Sequence, residues 1–326
     1  MTSHNNGARL RAGLAAVAAA TALLATASGT ASASAAPAPA PHSGADVGGD
    51  LYWSNTTASG NSMIGRARLD GTDVNQNFIT GGSVPGVVLV FGGYLYWTNL
   101  APFQTGAAGT IGRARLNGTD VNQDFITGAS LPVGLTASGG YLYWANNATG
   151  TIGRARLDGT DVNQDFIQTA QPEGPDDVVA DSGHIYWAND FNIGRANLDG
   201  TDVNQNFIAV PDGPSGVSAL AVNARYIYWT DETAGTIGRA RLDGTQVNQQ
   251  FITGAAFPQT GLAIDSRYIY WVNNTAGTIG RARLDGTQVN QQFVTVPDAD
   301  ILLGVAVDPG PHDSSASPAI LPARQV

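Results

Sequence analysis

Residues 268–293 read Tyr268-Ile269-Tyr270-Trp271-Val272-Asn273-Asn274-Thr275-Ala276-Gly277-Thr278-Ile279-Gly280-Arg281-Ala282-Arg283-Leu284-Asp285-Gly286-Thr287-Gln288-Val289-Asn290-Gln291-Gln292-Phe293. Three strand-like runs succeed one another here. Tyr268 to Val272 is apolar, Thr278 to Leu284 alternates in period two, and Val289 to Val294 is a further short run. Thr260 to Asp265 supplies a fourth run just upstream. Asp285-Gly286 separates two of the runs and reads as a hairpin with positive φ at both turn positions.

The unit recurs six times. All six tryptophans stand in one context: Leu51-Tyr52-Trp53, Leu95-Tyr96-Trp97, Leu142-Tyr143-Trp144, Ile185-Tyr186-Trp187, Ile227-Tyr228-Trp229 and Ile269-Tyr270-Trp271. Each is followed by Ile-Gly-Arg-Ala-Arg-Leu-Asp-Gly-Thr or a close variant, then by Val-Asn-Gln-x-Phe. Four-stranded units repeated at roughly 40–50 residues mean propeller blades, so the expected fold is an all-β, six-bladed β-propeller. The ends of the array say how the ring closes. Five innermost-strand segments lie between repeats, at 84–91, 131–137, 175–181, 216–222 and 260–265. Residues 44–50 are too short and glycine-rich to be a sixth. Residues 301–308, Ile-Leu-Leu-Gly-Val-Ala-Val-Asp, are therefore expected to become the innermost strand of the first blade, leaving no open sheet edge.

The Tyr-Trp core followed by Arg-Ala-x-Leu-Asp-Gly-Thr resembles the YWTD repeat of low-density-lipoprotein-receptor class B modules, over roughly residues 49–308. Tyr228-Trp229-Thr230-Asp231 matches the four-letter signature in full; the other copies end in Asn. The resemblance implies a six-bladed propeller and, commonly, binding of extracellular proteins. The receptors' cysteine-rich modules and membrane span have no counterpart in this sequence, so their specific partners do not carry over.

Composition narrows the function classes. The net charge is −10 and the charged fraction 13%, with no lysine and no cysteine. Nucleic-acid and anionic-membrane partners call for a basic surface and are not expected; disulfides and thiolate metal sites are excluded. Arg9 and Arg11, the apolar run Ala12 to Ala27 and the small residues Ala31-Ser32-Ala33-Ser34-Ala35 read as a secretory signal over residues 1–35. The apolar run is too short to span a bilayer. Residues 36–48 form an Ala/Pro-rich linker, 49–309 the propeller and 310–326 a disordered tail. A secreted monomer is expected.

Up-and-down blades place the 1→2 and 3→4 turns on one side of the disc and the 2→3 and 4→1 loops on the other. The Asp-Gly-Thr turns are nearly identical in all copies, whereas the 2→3 and 4→1 loops vary, so function is expected on the varied face. Three aromatics fall in those loops: Phe103, Phe191 and Phe257. Such rings stack on sugars or anchor peptides, unless they tuck between blades. The acids Glu173, Asp177, Asp190, Asp231 and Glu232 accompany them, and Asn55, Asn99, Asn146, Asn189, Asp231 and Asn273 form a sixfold set at strand ends. The set either lines the top face or has a structural role.

Catalysts are scarce. His184 is the one histidine within the propeller, at a position filled by tyrosine in four other copies, and it reads as a strand residue. No cysteine or lysine nucleophile exists, and a Ser-His-Asp site has no second histidine to draw on. Related six-bladed architectures include streptogramin lyases, whose histidine–metal chemistry one strand histidine does not supply. They also include calcium-dependent lactonases, whose Glu, Asp and Asn ligands this inventory does contain. The expectation is a non-catalytic module that binds an extracellular protein or glycan and needs no cofactor. A calcium-assisted hydrolase at the channel mouth and a structural extracellular protein are the alternatives.

Overall fold

The computed structural model describes residues 49–57, 61–81, 84–100, 108–169, 174–189, 191–210, 216–296, 299–308 and 310. The expected signal, the linker and the tail beyond 310 lie outside the described residues.

Alternation along each Leu/Ile-Tyr-Trp triplet sends tyrosine to one face of a strand and its two neighbours to the other. Both faces are apolar, so each sheet must be covered on both sides. Six sheets result. The first contains β1 (Asp50–Thr57), β2 (Ser62–Arg68) and β3 (Asn75–Thr80). Next come β4 (Pro85–Phe91), β5 (Tyr94–Asn99), β6 (Gly109–Arg115) and β7 (Asn122–Ala129). The third has β8 (Pro132–Ser138), β9 (Tyr141–Asn146), β10 (Thr151–Arg156) and β11 (Asn163–Gln168). The fourth has β12 (Val178–Ala180), β13 (His184–Asn189), β14 (Asn192–Asn197) and β15 (Asn204–Ala209). The fifth has β16 (Leu220–Val222), β17 (Tyr226–Asp231), β18 (Thr236–Arg241) and β19 (Asn248–Thr253). The sixth has β20 (Leu262–Ile264), β21 (Tyr268–Asn273), β22 (Thr278–Arg283) and β23 (Asn290–Thr295).

The last strand, β24 (Ala299–Asp308), joins the first sheet, giving the order β24-β1-β2-β3. It pairs antiparallel with β1 in the register Asp50↔Asp308, Leu51↔Val307, Trp53↔Val305 and Thr56↔Ile301. The innermost strands touch in sequence, β24, β4, β8, β12, β16, β20 and back to β24, so the blades form a ring. Ring closure by the C-terminal strand is as the sequence suggests.

The core is six layers, one between each pair of blades. Tyr52 packs with Trp97, Tyr96 with Trp144, Tyr143 with Trp187, Tyr186 with Trp229, Tyr228 with Trp271, and Tyr270 with Trp53. Each Tyr-Trp dipeptide therefore staples its blade to both neighbours. All six indoles are buried. Each lies across the strand beside it, over Gly65, Gly112, Gly153, Gly194, Gly238 or Gly280. A Cβ at any of these would stand 2.1–2.3 Å from the ring, which is why the Ile-Gly-Arg-Ala motif carries glycine.

The 3→4 hairpin corrects one expectation. Gly286 has φ 87°, but Asp285 is not in the left-handed region; Gln288 is, at φ 54°. The Asp285 carboxylate instead accepts hydrogen bonds from the Thr287 amide (2.9 Å) and hydroxyl (2.6 Å). The same clasp recurs at Asp70, Asp158, Asp199 and Asp243. The turn is thus wider than a two-residue hairpin, and it uses the aspartate as a local staple.

Candidate binding faces

The sixfold Asn/Asp set sits at the ends of the second strands and is buried throughout. In blade 3, the Asn146 side-chain amide donates to the Gln164 carbonyl at 2.9 Å, and its carbonyl accepts from the Ser130 amide. Asn273 does the same with Gln291 and Ala256, and also accepts from the Trp271 indole. Asn99 repeats the pattern with Gln123 and Trp97. Thr110, Thr151 and Thr278 complete these networks by donating to the same glutamine carbonyls. In blades 1 and 4, Met63 and Asn192 stand in the threonine position opposite Asn55 and Asn189. There the Asn55 and Asn189 amides, and the Trp53 and Trp187 indole N–H groups, have no partner. Asn99, Asn146 and Asn273 thus fasten strand ends, and all six members of the set are buried rather than lining an open mouth.

Asp177 is buried at the start of the innermost strand of blade 4. Its carboxylate accepts from the Val178 amide and, across the blade junction, from the Leu220 amide, both at 2.8 Å. Burial pushes its carboxyl up to about 7, outweighing the lowering effect of those two bonds. That lies above the ~3.9 of an unfolded aspartate, so the native state holds the extra proton between these values. Its contribution to stability is full below about pH 4 and is lost as the pH rises towards about 7. Asp177→Asn is expected to flatten the dependence of the urea midpoint on pH across that window. The hairpin aspartates act elsewhere: their hydrogen bonds to threonine lower them, so their contribution disappears only as the pH falls below about 4. An equal slope in wild type and variant would contradict this role for Asp177.

Near the axis, Gly86, Val87, Leu100, Val133, Asp176, Thr260 and Leu303 enclose about 20 Å³. That is room for about one water molecule and no more. His184, at the start of β13, packs against Tyr186 with its ring tilted (centroids 6.0 Å apart), and its amide donates to Asp181, as expected of a strand residue.

The varied face presents Phe191, in the 2→3 loop of blade 4, and Phe257, in the loop entering blade 6. They are 37% and 40% exposed. Phe257 is held at φ 57°, a costly region for a bulky residue. Glu232 is half-buried on the same side and Asp231 is buried, accepting from the Ala234 amide. Phe103, Glu173 and Asp190 lie outside the described residues. The uniform face, read from sequence as scaffold, carries two clefts of about 450 and 390 Å³ beside the 3→4 turns of blades 6 and 5.

These blades find counterparts among solved structures. A chain of the nidogen–laminin complex superposes with a TM-score of 0.63 at 17% identity, covering 80% of this chain and 98% of that one. The fold is a six-bladed β-propeller. Virginiamycin B lyase from Staphylococcus aureus matches this propeller with a TM-score of 0.54 at 18% identity, over 79% of this chain and 88% of the lyase. A streptogramin B lyase matches at 0.52 and 18% identity, over 67% and 71%. No family model and no curated protein sequence matches the chain.

Proposed function

We propose that this is a secreted, non-catalytic propeller that presents its varied loop face to an extracellular protein or glycan. One observation carries the reading. Among the described residues the exposed large hydrophobics are eight: Val74, Val121, Val162, Val203, Val247 and Val289, one per hairpin, and the unrepeated Phe191 and Phe257. The valines follow the repeat and belong to the scaffold. The two phenylalanines are both on the varied face, and Phe257 is exposed where Val84 and Leu131, which share its left-handed backbone before proline in the equivalent loops of blades 2 and 3, are half-buried. A similar propeller is a chain of a protein–protein complex, that of nidogen and laminin.

A metal-assisted hydrolase at the channel mouth is less well supported. Among the described residues no group of three His, Asp or Glu side chains comes together, and the cavity near the axis lined by Gly86, Leu100, Val133 and Leu303 holds about one water. The strand-end asparagines that such a site would draw on are buried in the scaffold.

Arrays of extracellular proteins and glycans probed with the mature chain from residue 36 test the proposal. Phe191→Ala with Phe257→Ala is expected to weaken the strongest interaction at least about tenfold, the loss of ~1.4 kcal/mol or more expected of anchoring aromatics. Undiminished binding by a folded double variant contradicts it.

A further inference from the structure

The uniform face is uniform in backbone but not in charge. Eleven of the 16 arginines stand in the third strands, and the described propeller has two others, Arg225 and Arg267. Both occupy the 1→2 turn, in blades 5 and 6, where blades 2, 3 and 4 have Gly93, Gly140 and Gly183. Both turns are pinned. Asn223 accepts from the Arg225 and Tyr226 amides at 2.9 Å, and Asp265 from the Arg267 and Tyr268 amides at 2.7 and 2.6 Å. The arginine side chains therefore leave fixed backbones, and both are exposed.

A second substitution reinforces the first. In blades 1, 2 and 3 the last arginine of the third strand is ion-paired within its hairpin, Arg68 with Asp73, Arg115 with Asp120 and Arg156 with Asp161. In blades 5 and 6 that aspartate is Gln246 and Gln288. Arg283 has the neutral Gln288 as its partner at 3.0 Å, and no ion pair to Arg225, Arg241, Arg267 or Arg283 occurs among the described residues. The nearby acids are already committed. Asp243 and Asp285 clasp their threonines, and Asp265 is buried, accepting from the Tyr270 hydroxyl. Asp243 and Asp285 stay ionised and act on Arg241 and Arg283, so each cleft sets two arginines against one carboxylate, and a chain of net charge −10 thus gathers a local excess of positive charge in two adjacent blades.

These arginines line the two clefts. Arg225, Tyr226, Arg241, Leu242 and Asp243 form one; Arg267, Tyr268, Arg283, Leu284 and Asp285 form the other. Behind the tyrosines stand Arg239 and Arg281, each 4.4 Å from the ring centroid. Each cleft therefore combines an apolar wall with two guanidinium groups suited to bidentate contact with carboxylate or sulfate. At about 450 and 390 Å³ they accommodate a ring-sized group rather than a lone ion.

We infer that the paired clefts of blades 5 and 6 bind an anionic polysaccharide, one charged sugar to each cleft. Duplication favours a polysaccharide over an acidic peptide. Two neighbouring sites of the same composition fit a polymer that repeats the same charged unit at a fixed interval. The surface is separate from the phenylalanine face and does not rest on that proposal.

The test uses immobilised polygalacturonate and dextran sulfate, with neutral dextran and polyglutamate alongside. The mature chain is expected to be retained on at least one anionic glycan at low salt and released at high salt, where screening shortens to a few ångströms. Arg225→Ser with Arg267→Ser is expected to weaken retention at least about tenfold. Arg115→Ser with Arg156→Ser makes the same change in net charge on blades 2 and 3 and is expected to cost less than about twofold, since exposed ion pairs contribute little. Three results overturn the inference: no retention on either anionic glycan, equal losses in the two double variants, or polyglutamate or neutral dextran binding as tightly as the anionic glycans. Retained thermal midpoints in both variants separate lost binding from lost fold.

Discussion

Gly238→Ala is expected to lower the midpoint of thermal unfolding by roughly 6–12 °C, the equivalent of about 3 kcal/mol in a domain of this size. The added methyl meets three atoms of the Trp229 indole, at 2.2, 2.4 and 2.5 Å. Real side chains essentially never approach so closely, so something must move. The indole cannot swing outwards, because it is 1% exposed and lies in the layer shared with Tyr186, Ile193, Ile208 and Val217 of blade 4 and its outgoing loop. The strand cannot retreat either, since Gly238 is paired opposite Trp229 in the ladder with β17. Overpacking at so confined a site lies at the upper end of its usual range of about 1–3 kcal/mol. Gly183→Ala is the control. Its φ is ordinary and its nearest contact is the Asp181 carboxylate at 3.7 Å, so its midpoint should stay close to wild type. Comparable losses in the two variants would show that the tryptophan does not lie across the glycine.

Much of this was legible in the sequence, and the limits have physical causes. Alternation gave the two faces of each Tyr-Trp pair, because side-chain direction along a strand depends only on parity. It could not give the tilt of an indole across the next strand, which is set by the neighbouring blade. The count of innermost segments placed residues 301–308 in the first blade because a closed ring needs as many inner strands as outer ones. The Asp-Gly turn was misread, since dipeptide statistics omit the clasp between Asp285 and Thr287. For Asn146 and Asn273 the sequence left open a place on the top face or a structural role; glutamine carbonyls from the fourth strands of their own blades engage them, which only the folded blade decides. Arg225 and Arg267 were visible as the two propeller arginines outside the third strands. Their setting beside Arg241 and Arg283, which lack the hairpin ion pair of blades 1 to 3, emerged only when turn and hairpin met in space.

Removal of residues 299–308 is expected to abolish cooperative unfolding. β24 contributes Leu302, Leu303 and Val305, which are at most 4% exposed. Burying three such side chains stabilises by roughly 5–9 kcal/mol, most of the ~5–15 kcal/mol that holds a domain together. The loss would also open the Tyr270–Trp53 layer, because Leu302 and Val305 pack there, and would expose the inner edge of β1. A truncated chain should therefore melt broadly, bind hydrophobic dyes and aggregate. The most direct measurement is a crosslink. Asp50 and Asp308 are cross-strand partners from the two ends of the ring, at a separation of about 4.5–5.5 Å between Cα atoms, which a disulfide can span. The chain has no cysteine to compete. Oxidised Asp50→Cys/Asp308→Cys protein should form one intramolecular disulfide in the folded monomer, seen as faster migration without reductant and a higher thermal midpoint. Free thiols in the folded, oxidised monomer, or crosslinks only between molecules, would contradict a ring closed by its last strand.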